Sequence, residues 1–265
     1  MTLLPSEMYA SKLQPIDHFG LSTRTLDDKS ISEIWCSKVS KDNLWSEQLL
    51  HADGRMGLFV VRGPHVYIND CLLTEGVYVC GANEQAQIIR CSADAHMFGA
   101  RFHIGQQQAL INLPAHELTG QMLAIGDLPR TAFLPLLHPN MSFTQFTEQL
   151  LKSSSENATP HLKLSARLIN ECGNSSVVAD TIKMSKRSVE RHALNQIGLP
   201  LKTIDILKKV ARARATIKTN PNTSLTQIAH DIGFADQAHF TRQFKHVVGM
   251  TPRQYKTLKS KQINR

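Results

Sequence analysis

Two short stretches of the chain carry side chains that can read the edges of nucleic-acid bases. In residues 186–191 they are Lys186, Arg187, Ser188, Glu190 and Arg191; in residues 237–245 they are Gln237, His239, Thr241, Arg242 and Lys245. A guanidinium presents paired donors to guanine O6 and N7, a carboxamide pairs with adenine N6 and N7, and a carboxylate accepts from cytosine N4. Bond-making chemistry has no comparable set: GxSxG, HExxH, P-loop and GxGxxG patterns do not occur. His96 and His103 with Cys91 come nearest to a metal-binding group, and their spacing is not that of ligands.

Reading DNA requires these polar faces to be held outward on rigid elements. Ser224 with Gln227 reads as a capping-box start, Ile228, Ala229 and Ile232 share one helical face, and Gly233 ends that helix. Asp236 then caps a second helix in which Phe240, Phe244 and Val247 recur at spacings of four and three and form a buried stripe. The base-reading set lies on the opposite face. Helix, glycine turn and helix, with Gln, Thr and Arg on the outer face of the second, is the helix-turn-helix pattern. An ordinary amphipathic pair explains the Phe stripe equally well, but not Gln237, Thr241 and Arg242 on its wet side. Thr251 caps a further helix with Pro252 first and Gln254 completing the box.

Residues 175–198 hold a weaker copy. Ser185 is the expected cap, Val189 and Leu194 are expected to face inward, and the first polar set stays outside. Upstream, residues 161–172 read as a helix by the spacing of Leu164, Leu168 and Ile169, stopped at Gly173-Asn174. Between the copies, residues 201–219 form a continuous helical pattern, with Ile204, Leu207, Val210 and Ile217 inside and Lys208, Lys209, Arg212, Arg214 and Lys218 mostly outside. A helix of some 17 residues spans roughly 25 Å. Such a strut could set two recognition helices near the roughly 34 Å separation of successive major-groove faces.

The remainder of the chain differs in kind. Residues 1–150 hold 10 Lys+Arg against 15 Asp+Glu, a net −5, while residues 151–265 hold 20 against 7, a net +13. The basic half is the one that attracts a polyanion, nucleic acid before an acidic membrane surface. The five cysteines (Cys36, Cys71, Cys80, Cys91 and Cys172) form no CxxC and point to reduced thiols. With no basic, apolar leader at the N-terminus and no long apolar span, the expected location is cytoplasmic, with no membrane partner. From about Trp35 to Phe102, short apolar runs (58–61, 66–68, 77–79, 88–89 and 98–102) alternate with turn pairs Asp53-Gly54, Gly63-Pro64 and Asn69-Asp70, as in an antiparallel β domain. Residues 105–113 switch to helical spacing through Ala109, Leu110 and Leu113. Phe143, Phe146 and Leu150 mark another helix, and residues 153–160 read as a linker.

The string IAxxxGFxxxxxFxRxFKxxxGMTPxxY, residues 228–255, resembles the C-terminal signature of the AraC/XylS family of bacterial transcription regulators. Residues 99–128, and Ala52 to Val61 with their Asp-Gly pair, are similar to an uncharacterised sensor-like domain attached to many such regulators, although Ile104 stands where a Pro often precedes the glycine. The resemblance implies base contact for Arg187, Glu190 and Arg191 in the first unit and for Gln237, Thr241 and Arg242 in the second, with His239 a lesser candidate. Lys186 and Lys245 would touch phosphates. In the first copy, Lys183 stands at a turn position where glycine is usual, Ala193 where a core Phe is common, and Leu201 where Pro is frequent, which implies a looser first unit. A branch of the family that moves methyl groups through zinc-bound cysteine needs clustered N-terminal cysteines, which this chain lacks.

The expectation is therefore an α+β protein with three regions. Residues 1–152 form a β-rich effector-binding or dimerisation domain with a few helices, residues 153–160 a linker, and residues 161–265 a seven-helix DNA-binding domain. That domain holds helix-turn-helix units at about 175–198 and 224–248, joined by a linker helix over 201–219. Its partners would be double-stranded promoter DNA and, as the resemblance implies, RNA polymerase in an activating role. A small-molecule effector and a homodimer complete the expectation, with no metal, cofactor or catalytic residue. Arg101, flanked by Phe98 and Phe102, could anchor an anionic effector or pair structurally with a carboxylate. The rival reading is an adaptor that docks a protein partner and anchors to DNA without sequence preference; a third is a fused enzyme acting through the β domain.

Overall fold

The computed structural model describes residues 19–39, 45–129, 137–156 and 175–263. The N-terminal half is built of antiparallel strands: β1 Phe19–Thr25, β2 Ile31–Val39, β3 Trp45–Leu50, β4 Gly57–Arg62, β5 Val66–Ile68, β6 Cys71–Leu73, β7 Gly76–Cys80, β8 Gln87–Ser92, β9 His96–Phe102 and β10 Met122–Ala124. Six of them form one sheet in the order β1-β2-β9-β4-β7-β10, and a second sheet runs β3-β8-β5-β6. The turns at Asn69-Asp70 and Gly63-Pro64 fall where the sequence puts them, with Asn69 at φ 53° and Gly63 at φ 81°, a region open to Asn and Gly.

Period-two alternation explains why these strands read as nearly continuous apolar runs. Phe59 and Val61 of β4, Tyr78 and Cys80 of β7, Met97 of β9 and Trp35 of β2 face the second sheet, in one core with Val66, Ile68, Ile89 and Cys91. Their neighbours Leu58, Val60, Val77, Val79, Phe98, Ala100 and Phe102 turn to the other face, where helices cover them. With both faces of the large sheet buried, neither set of positions tolerates polar side chains.

The helices are α1 Ala115–Leu118, α2 Phe143–Glu156, α3 Ser175–Ile182, α4 Lys186–Ile197, α5 Leu201–Thr219, α6 Leu225–Ile232, α7 Gln237–Val248 and α8 Pro252–Ile263. Helix α2 lays Phe146 and Leu150 on the sheet, with the Phe146 ring edge-on to Phe98 at 5.3 Å between centroids. From α3 onward the described residues are all-α, as the sequence requires, with two helix-turn-helix units joined by α5. Six of the seven expected helices lie there; the helix expected over 161–172, with the linker residues 157–160, lies outside the described residues.

Several expectations are corrected. Residues 105–113 make a single 3-10 turn, Gln107–Ala109, because the Gln107 carbonyl accepts from both Leu110 and Ile111 N–H and closes the turn early. The expected linker begins too soon: Ser153 to Glu156 continue α2, and the buried Ser154 hydroxyl donates to Asp28 Oδ1 at 3.0 Å. Arg214 is not outside. It sits four residues after Val210 on the inner row of α5, 8% exposed, with its guanidinium 5.7 Å from the centre of the Tyr255 ring. The buried Lys259 ammonium approaches the same ring at 4.8 Å, and both cations stack favourably on an aromatic face.

Arg101 belongs to the interior. Its side chain has no exposure and is ion-paired with Asp53, which also accepts from Arg55 Nε at 2.6 Å. Of the two roles open to Arg101, the structure gives it the carboxylate partner and no surface on which to hold an effector. Burial alone would raise the Asp53 carboxyl, but the charges of Arg101 and Arg55 and their hydrogen bonds override it and bring it down to about 2.

Candidate nucleic-acid interface

In the second unit the caps are made by the residues whose types announce them. Ser224 Oγ accepts from Gln227 N–H at 3.1 Å and Asp236 Oδ1 from His239 N–H at 2.6 Å, each satisfying one of the orphan donors of a first helical turn. The box at Ser224 is half made, because the Gln227 amide reaches forward to Asp231 Oδ1 at 2.6 Å. At Thr251 it is complete: Gln254 Oε1 accepts from Thr251 N–H at 2.8 Å while Thr251 Oγ1 accepts from Gln254 N–H at 3.3 Å. Phe240 and Phe244 are fully buried, their rings 5.5 Å apart, and Phe244 continues edge-on to Tyr255. That packing fixes the roll of α7 and leaves Gln237, Arg242 and Lys245 exposed, with Thr241 half-buried at the edge. His239 is half-buried as well and rests edge-on to the Phe234 ring.

The first unit repeats the arrangement. Ser185 Oγ caps α4 by accepting from Ser188 N–H at 3.2 Å, and Lys186, Arg187, Glu190 and Arg191 are exposed over a buried row of Val189, Ala193 and Ile197. Leu194 does not face inward; it is 37% exposed. Five residues after Val189 it lies about 140° round the helix, and Ala193 holds the inner position. The Ala193 site is closed, in one core with Ala115 and Leu118 of α1, so the small side chain does not loosen the unit.

Lys183 takes the left-handed conformation at φ 54°, the strained state for a residue with a Cβ. Lys183→Gly should therefore raise stability by about 0.5 kcal/mol, the relief of strain exceeding the added freedom of the unfolded chain. Urea denaturation checks this, and a lower midpoint for the glycine variant contradicts it.

Sequence reasoning missed three further features. Thr226 Oγ1 donates to Gln237 Oε1 at 2.9 Å, which orients the carboxamide from the neighbouring helix. An open groove runs between the starts of α6 and α7 and the face of α8, lined by Thr226, Gln237, Arg253, Lys256, Ser260 and Lys261 among others. Lys256 is committed to the Thr223 carbonyl at 2.7 Å, while Arg253 and Lys261 are exposed. The basic residues of α8 were visible in the sequence, but only the fold sets them beside α7. Third, His51 of the β half donates from Nδ1 to the Val248 carbonyl at 2.8 Å. Burial first, then the Arg214 charge with a contribution from Lys259, holds its imidazole well below the ordinary value, so it is neutral at pH 7.

Among the described residues no three His, Cys, Asp or Glu side chains gather to hold a metal ion. Cys36 Sγ lies 3.3 Å from His96 Nε2, and burial raises its thiol pKa. No described helix is long and apolar enough to cross a membrane.

Two helix-turn-helix units on a shared helix, each with a polar second helix turned outward, define a DNA-binding transcription regulator. Residues 178–257 match the model of a helix-turn-helix domain, and residues 28–124 match a domain of unknown function, DUF6597. The helix-turn-helix match is of the AraC type, in keeping with the resemblance of residues 228–255 to the AraC/XylS signature. None of the curated proteins compared matches it in sequence. Among solved structures, ToxT from Vibrio cholerae is similar at 11% identity over 90% of this chain and 98% of its own, with a TM-score of 0.43. ToxT from Vibrio cholerae O395 gives 10% identity over 92% and 98%, with a TM-score of 0.44. A ToxT structure from strain SCE256 with an unsaturated fatty acid bound gives 13% over 81% and 95%, with a TM-score of 0.41.

Proposed function

We propose that the chain binds promoter DNA by laying α4 and α7 into two adjacent major-groove segments, and that it activates transcription through contact with RNA polymerase. One observation carries the first part: in both units the apolar row of the second helix is buried and capped, while Lys186, Arg187, Glu190 and Arg191 of α4 and Gln237, Arg242 and Lys245 of α7 are exposed. Arg187, Glu190 and Arg191 read bases in one segment, and Gln237, Thr241 and Arg242 in the other. His239 contributes less, since its ring is engaged by Phe234. Lys186 and Lys245 take phosphates, and we add Arg253 and Lys261 of the α8 groove to that group. The division into a regulatory half, residues 1–152, and a reading half, residues 161–265, follows the charge asymmetry. A small-molecule effector and a homodimer belong to the regulatory half, and the burial and Asp53 pairing of Arg101 favour its structural role.

Binding that rests on several Lys and Arg contacts to phosphate releases counterions, so log K should fall linearly and steeply with log salt, by about 0.9 per contact. Fluorescence anisotropy on a duplex selected by the full chain measures that slope, and a flat dependence removes the phosphate contacts. A genome-wide footprint tests the reading of sequence itself. Bound regions that share a two-part motif support it, whereas bound regions with no common motif return the chain to the role of a non-specific DNA anchor for a protein partner.

A further inference from the structure

The last carbonyls of a helix have no partner within it. In both recognition helices those groups are taken up by donors from the N-terminal half. At the end of α7, Ala86 N–H donates to His246 O and Ala52 N–H to Val247 O, both at 2.9 Å, and His51 Nδ1 donates to Val248 O. At the end of α4, Gln107 Nε2 donates to Gln196 O at 2.5 Å, and Thr119 Oγ1 donates to Gly198 O at 2.6 Å. The glycine that closes each helix is also a point of close approach. A Cβ on Gly198 would fall 2.6 Å from Thr119 Oγ1 and 2.9 Å from the Ala115 carbonyl, and one on Gly249 would fall 2.7 Å from Leu49 Cδ1. Between the two clamps, Gly54 lies so near α5 that its Cβ would come within 2.9 Å of Leu207 Cδ1.

A strut helix fixes the distance between its ends, but it is joined to each reader by a short non-helical segment, Gly198 to Pro200 on one side and residues 220–224 on the other. The strut packs against α6, α7 and α8 and so carries the second reader with it; it leaves the roll and tilt of the first reader to be set elsewhere. Among the described residues, the element that holds the far ends of both readers at once is the β half with its short helix α1. We infer that the N-terminal half is the jig that sets the relative placement of the two recognition helices, and through it the spacing of the two DNA elements that the chain accepts. Gln107, Thr119 and His51 are its positioning residues; none of them lies on a DNA-facing surface. The inference rests on the proposed reading of two major-groove segments.

One inserted base pair moves the second element by about 3.4 Å along the axis and about 35° around it, a displacement that a clamped pair of readers cannot follow. The test uses the full chain and duplexes selected by it from a random pool, re-measured with one base pair added or removed between the two elements. The parent is expected to lose about 30-fold or more in affinity on insertion. The double variant Gln107→Leu/Thr119→Val is expected to lose no more than about threefold, with the consensus of each element unchanged, while Thr119→Ser keeps the parental penalty. A generally weakened protein would lose affinity evenly at every spacing, so tolerance of the insertion is the diagnostic readout. His51→Leu, at the other clamp, gives an independent measurement should the double variant not fold. A penalty equally steep in parent and variants overturns the inference and assigns the spacing to α5 alone. Failure of the parent to select any two-element motif overturns the proposed function and the inference with it.

Discussion

Asp53→Ala is expected to lower the free energy of unfolding by about 3 to 5 kcal/mol, the usual consequence of stranding a buried cation. Arg101 has no exposure and is paired with Asp53, and Arg55 reaches the same carboxylate while standing 3.9 Å from Glu33. Removing the carboxylate leaves two guanidinium groups adjacent, one of them, Arg101, wholly shielded from water. Equilibrium unfolding in urea measures the loss, and a change below about 1 kcal/mol would show that Arg101 finds another partner. The pair is not by itself a large source of stability, since its desolvation offsets much of its attraction. The double variant Asp53→Ala/Arg101→Met should therefore recover part of the loss.

The same carboxylate carries a pH signature with a definite sign. Its folded value is depressed to about 2 from an ordinary 3.8. Its contribution is therefore fully present above pH 4 and is lost as the pH falls from about 4 toward 2, amounting to about 2 kcal/mol. Asp53→Asn should flatten that part of the stability profile.

Arg242→Ala is expected to cost about 1 to 3 kcal/mol of DNA binding and to relax preference at one or two base pairs, as loss of a bidentate guanine contact does. Arg242 is exposed on the face of α7 opposite the buried Phe240 and Phe244. Affinity for the selected duplex, compared with duplexes substituted singly across the site, separates the outcomes. Equal loss on every sequence would demote Arg242 to a phosphate contact. Arg191→Ala in the first reader is expected to cost less discrimination, because in the second reader the Thr226 hydroxyl orients Gln237 on the same recognition helix as Arg242. A larger loss at Arg191 reverses the order of the two readers.

How far the sequence could be read depended on which groups make the contacts. Helix α7 and its N-terminal cap were legible because Asp236, Phe240 and Phe244 act through their own side-chain chemistry, and β5 was legible because Val66-Tyr67-Ile68 is bounded by turn residues on both sides. Strands β1, β6 and β10 gave weaker signals: FGLSTRT lacks a clean alternation, and the other two have three residues each. Arg214 misled because its charge was weighed above its place on the Val210 row, and the Tyr255 ring that accepts it is 41 residues away. Ser153 and Ser154 read as linker by composition, though one helical turn with a hydroxyl bonded to Asp28 suits them as well. The clamps on α4 and α7 were invisible, because their acceptors are backbone carbonyls that every residue possesses.

The core that begins on the outer face of the large sheet does not stop at the domain boundary. Leu58, Val60 and Phe98 belong to the same buried cluster as Leu199, Leu207, Ile228 and Phe244. The two halves thus share one core, and neither can be excised without wetting the apolar surface of the other. A substitution deep in a β-strand will deplete DNA-competent molecules by mass action alone. In a genetic screen such alleles, scattered far from α4 and α7, would look like lost regulation when what has been lost is the folded population.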